Sequence, residues 1–169
     1  MLCYQQTMEA QVHTIESEQQ AAEVLKYFHD FHDGFIKRIE LVSQDSFHQE
    51  GPEHPGHSHV CTGEFNLSMD IAHFNYGPIN QPYNQLVCIE FYDIRDFSLD
   101  LHDHACHEWD IYEIHINSIT RPINILGDTE DAFELLLTRS FYVEDTGWEQ
   151  RQQTLFSFKS AIVKEKLSV

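Results

Sequence analysis

The chain has 169 residues, 41% of them hydrophobic, and carries 10 Lys and Arg against 28 Asp and Glu, a formal net charge of −18. That length suits one domain over 1–169, with a core large enough to need no staple. The acid excess speaks against nucleic acid, whose phosphates demand clustered Lys and Arg, and the apolar fraction speaks against a disordered acidic tail.

Residues 1–14 read as a loose lead-in or an edge segment. Ser17 is an N-cap with Gln20 as its capping-box partner, and Ala21, Val24, Leu25 and Phe28 share one helical face. The spacing predicts one amphipathic helix ending near Phe31, stopped by Asp33-Gly34. Phe35 to Val42 reads as a strand with Phe35, Ile39 and Leu41 on one face, Lys37 facing inward or marking a bulge. The stretch 44–59, with its Gly-Pro and Pro-Gly steps, reads as a long loop. Glu64 to Phe74 alternates, with Phe65, Leu67, Met69 and Ile71 on one side, as a half-buried strand does. Residues 75–84 are turn chemistry, and Leu86 to Ile94 is apolar on both faces, a central strand in which Cys88 is a small core residue. Phe97 to Leu101 extends it as a second arm. Trp109 to Ile116 alternates, and Pro122 limits Ile123 to Leu126 to an edge or a strand start. Ala132 to Val143 reads as a strand over a competing helix at 129–139, on the strength of Phe141, Tyr142 and Val143. Leu155 to Val163 closes the chain as a last strand. The expected fold is α+β: six to seven strands in a mainly antiparallel meander or sandwich, with one N-terminal helix packed on it.

Twelve histidines make two groups of candidate metal ligands. His57 and His59 lie with His54 and Cys61 in the 44–59 loop region, and His102, His104 and His107 flank Cys106. Imidazole, thiolate and carboxylate are zinc ligands, so two converging loops would make a zinc-type site. No HExxH, paired CxxC, nucleophile elbow or P-loop is present, so no catalytic residue is assigned and the expectation leans away from an enzyme. Cys106 beside His104 and His107 is a candidate thiolate–imidazole pair. The acid is densest at 90–113, where only Arg95 interrupts it. There Asp93, Asp96, Asp100, Asp103 and Glu108, with Trp109 as an aromatic anchor, form a candidate face for a basic protein.

The helix-to-strand junction runs Phe28-His29-Asp30-Phe31-His32-Asp33-Gly34-Phe35-Ile36-Lys37-Arg38-Ile39. Phe31-His32-Asp33 followed by Ile36 and Ile39 resembles the opening of small bacterial domains that include some toxin-immunity proteins and domains of unknown function. The strand Val87 to Ile94, with its central Phe91, is similar to a strand of the same group. The long His/Pro loop and the 102–107 segment depart from that pattern. The resemblance implies an immunity-type protein that binds and blocks a partner.

The leading expectation is therefore a small acidic protein that binds a basic partner without catalysis. The alternatives are a zinc-binding protein using His57, His59, His102, His104 and His107, and a structural homodimer joined through edge strands. The N-terminus has no basic segment followed by an apolar one, and no apolar run is long enough to span a bilayer, so the expected location is the cytoplasm with reduced thiols.

Overall fold

A computed structural model describes residues 11–49, 57–60, 64–76, 82–98, 110–124 and 126–166. The first element is an edge strand, β1 (Val12–Ile15). The helix α1 (Glu18–Tyr27) follows, opened by Ser17, whose hydroxyl accepts from the Gln20 N–H while Gln20 Oε1 accepts from the Glu16 N–H at 2.8 Å. That is the anticipated cap, with the reciprocal bond moved one residue back. The helix buries Ala21 and Val24 and packs against β1 and the strand at 113–122. It ends four residues short of Phe31, because the backbone turns left-handed: His29, Asp30 and Phe31 all have φ between 51° and 56°, and Asp33 has φ 62°. Phe28 and Phe31 are thereby stacked, ring centroids 5.0 Å apart, and both are driven into the core.

Gly34 opens β2 (Gly34–Ser43), where any Cβ would stand 2.8 Å from the Phe31 carbonyl oxygen. A register shift between Ile36 and Arg38 marks a bulge at Lys37. The bulge moves the strand's phase, so Ile36, not Phe35, is buried opposite Ile71, and Phe35 faces out. The stretch read as a loop holds two short paired strands, β3 (Ser46–Gln49) and β4 (His57–Val60). Then come the hairpin partners β5 (Phe65–Tyr76) and β6 (Pro82–Tyr92), β7 (Asp110–Ile111), β8 (Glu113–Pro122), β9 (Thr129–Val143), β10 (Gly147–Phe158) and β11 (Ser160–Lys166). The stretch 129–139 is strand, and β8 ends at Pro122, with Ile123 and Asn124 in a bend and Leu126 in a turn. The single closing strand is two, broken at Lys159 where the chain changes sheet.

All pairings among the described residues are antiparallel. One sheet runs β1-β11-β6-β5-β2-β7 and a second runs β10-β9-β8, the latter a simple meander. The core draws on both sheets and on α1. Phe91 from the first sheet meets Phe156 and Phe158 from the second edge-on, at 4.9 and 5.0 Å. The described residues are thus mostly antiparallel β with one α-helix, the α+β class expected.

Candidate interaction surface

One sheet has six strands and the other three, and part of the larger sheet's inward side is left uncovered. The uncovered part lies at β2 and β5, where Leu41 and Phe65 continue the inward phase of buried Leu67 but stay 43% and 37% exposed. The far wall comes from the chain leaving β6. It crosses to the second sheet through the Arg95–Ser157 backbone pair, with Ser98 N donating to Leu155 O at 2.7 Å. Phe97 rides on that crossing, 38% exposed and stacked 6.1 Å from fully buried Phe156. Leu41, Phe65, Ile94, Arg95, Asp96 and Phe97 enclose a groove of about 330 Å³. It is apolar inside, with the exposed Asp96 at its lip.

The wall is braced by charge. Asp93 and Asp96 both hold left-handed backbone, φ 52° and 57°. Arg121, only 3% exposed, donates from Nη1 to Asp93 O at 2.9 Å and to Ser157 Oγ at 3.3 Å, from Nη2 to Asp93 Oδ2, and from Nε to Glu130 Oε1 at 2.9 Å. Arg95 Nε reaches Asp93 Oδ1 at 3.4 Å, and its Nη1 bonds the carbonyls of Pro122 and Ile123. Lys159 Nζ lies 3.3 Å from Glu130 Oε2 and donates to Asp131 O. Partial burial pushes the Glu130 carboxyl up, but the Arg121 guanidinium and the Lys159 ammonium outweigh it and hold it below the usual range. A buried guanidinium is tolerable only when its donors are satisfied this fully.

A second cleft, of about 450 Å³, lies between the start of α1 and the β8–β9 pair, and carries Glu16, Glu18 and Asp131 beside Lys159. On the outward face of the large sheet, Lys164 and Tyr92 both donate to Glu90 Oε2, at 2.7 and 3.0 Å, and Arg38 bonds Asp70 and Glu40. Cys88 is buried, as expected, but on that outward face, its Sγ 3.5 Å from Ser68 Oγ.

The anticipated site residues distribute as follows. Asp93 has its carboxylate taken up by Arg121 and Arg95, so it shapes the surface from behind. Asp96 stands exposed at the groove. Asp100, Asp103, Glu108 and Trp109 lie outside the described residues. His57 and His59 sit two positions apart on β4, opposite Gln49 and Phe47, while His102, His104 and His107 fall outside the described residues, so the joint site does too. Among the described residues no group of three His, Cys, Asp or Glu is arranged to hold a metal ion, and no helix is long and apolar enough to cross a membrane. Sequence reasoning missed Arg121, which has no local signature. It also passed over His73, which follows Ile71 by two residues in the inward phase of β5 and is buried.

Comparison with protein-family models, curated proteins and solved structures finds no match to this chain.

Proposed function

We propose that this is a non-enzymatic interaction module of the immunity type, which binds a basic protein partner through the Leu41–Phe65–Phe97 groove. The observation that carries this reading is the pairing of half-exposed Phe97, stacked on core Phe156, with Asp96 beside it on a turn braced by Arg121. An aromatic anchor on a rigid base, rimmed by charge, is the anatomy of a binding hot spot. The net charge of −18 adds a long-range attraction for a cationic partner. The reading takes the two sheets as a sandwich, supported by the Phe91 contacts across them, and takes the protein as cytoplasmic.

The test is binding to an array of Lys/Arg-rich peptides, each with one leucine or aromatic residue. Phe97→Ala is expected to weaken the best binder by about 10-fold or more, with a smaller loss for Asp96→Asn. Affinity should fall steadily as ionic strength rises from about 0.05 to about 0.5 M. Binding indifferent to both substitutions and to salt rules the groove out.

A further inference from the structure

Two groups at the groove are fixed in place and differ in kind. Phe97 lies nearly parallel to Phe156, ring planes 22° apart, and Phe156 is fully buried. One face of the Phe97 ring is therefore held toward the core. The other is left to the groove, which the ring lines at 38% exposure. An aromatic face carries partial negative charge and attracts a cation laid over it. Asp96 precedes Phe97 and is exposed at the groove's lip. Its left-handed backbone, φ 57°, belongs to the turn that Arg121 braces through Asp93, so its carboxylate starts from a defined position beside the ring. Leu41, Phe65 and Ile94 add only hydrocarbon side chains to the lining. Arg95, also in the lining, has its charge met by Asp93 and Glu130 and donates to the Pro122 and Ile123 carbonyls. At about 330 Å³ the groove is at the small end of ligand pockets, with room for one long side chain.

A flat cation with methylenes behind it meets all of these features. We propose that the groove receives a single arginine of the basic partner: its guanidinium lies on the open face of Phe97 and pairs with Asp96, and its stem packs along Leu41 and Phe65. The inference rests on the interaction reading above and names the partner residue that the groove selects. Arginine buries its stem readily while its head stays charged. Lysine matches the charge less well, because its ammonium is a compact, strongly hydrated point with no plane to stack and no fork to offer a carboxylate. Leucine fills the hydrocarbon but offers nothing to Asp96 or to the ring face.

The experiment uses the full chain and four fluorescent nonapeptides of alternating lysine and serine. They differ only at the central residue, which is arginine, lysine, citrulline or leucine. Arginine and lysine carry equal charge, and citrulline keeps the arginine shape without it. The arginine peptide is expected to bind at least about fivefold more tightly than the other three. Phe97→Leu keeps an apolar group in the groove but removes the ring face, and should bring the arginine-to-lysine ratio down to about one. Asp96→Asn should lower that ratio, and Phe97→Tyr, which keeps the face, should preserve it. Should Phe97→Leu not fold, the peptide series and Asp96→Asn decide. Equal binding of the arginine and lysine peptides overturns the inference, whatever their dependence on salt. A leucine peptide that binds tightest and is weakened by Phe97→Ala also overturns it, while the groove reading stands. An arginine preference that survives both Phe97→Leu and Asp96→Asn places the arginine elsewhere on the acidic surface, against the proposal. Failure of all four peptides to bind removes the inference and the interaction reading together.

Discussion

His73 extends the inward phase of β5 by one step beyond Ile71, into a setting made for hydrocarbon. It is 3% exposed, its ring lies 5.6 Å from Phe31 and 6.5 Å from Phe28, and its Nδ1 has no hydrogen-bond partner among the described residues. His13 Nε2 and Glu165 Oε1, on the same large sheet, are likewise buried with no hydrogen-bond partner among the described residues. Burial lowers the His73 pKa to about 4, helped by the nearby His29 and His32 and opposed by Asp33. The sign follows directly. The unfolded chain takes up its proton first, near pH 6.5, so stability is full above that value and falls as pH drops toward 4. The loss from this one group is about 3 kcal/mol. In His73→Phe, the drop in unfolding free energy between about pH 7.5 and about pH 4.5 should shrink by that order, read from urea midpoints. An unchanged drop would assign the acid sensitivity to other groups.

At the scale of elements, the turn after α1 is the unusual one. Three successive residues without glycine, His29, Asp30 and Phe31, hold positive φ, and Asp33 holds it again after His32. Each such residue costs about 1–2 kcal/mol against the right-handed form. The cost is offset by burial of Phe28 and Phe31 and by the Asp33 N–H bond to Ile111 O at 3.1 Å. Asp30 is exposed, so Asp30→Gly removes its strain without touching the core. The thermal midpoint should rise by about 3 °C; a fall would mean that the Asp30 side chain stabilises the turn. The repeated Phe-His-Asp was visible in the sequence, and so was the Asp33-Gly34 stop. The left-handed path was not, because side chains alone do not reveal where Phe31 must go to meet His73. The Lys37 bulge was legible as one of two options, but its consequence, Ile36 inward and Phe35 outward, depended on which residues of β5 stood opposite.

At the scale of the molecule, the two sheets are joined where Arg121 of β8 grips Asp93 after β6 and Glu130 of β9. Arg121→Met should cost about 3–5 kcal/mol, because Asp93 and Glu130 would lose their buried counter-charge together. Thermal unfolding checks this, and a loss below about 1 kcal/mol would mean that Arg95 and Lys159 suffice. The same scale corrects the charge picture. Ten cations stand against 28 acids, yet Arg38, Arg95, Arg121, Lys159 and Lys164 are all committed to carboxylates within the fold. The acid left over is what a basic partner of the kind proposed would meet. His73 does not lessen it in mild acid, because burial keeps its imidazole neutral down to about pH 4.

The sequence by itself determined the class of fold, the start of α1, the inward faces of β5 and β9, and the sign and size of the surface charge. These depend on local period, capping chemistry and composition, all of which act over a few residues or sum over the chain. The tertiary structure decided that Asp93 is a brace while Asp96 is a surface group, that Leu155 to Val163 divides between two sheets at Lys159, and that Leu41, Phe65 and Phe97 meet. Those outcomes depend on register and on how far one sheet overlaps another. Such contacts join residues dozens of positions apart, and no periodicity along the chain encodes them.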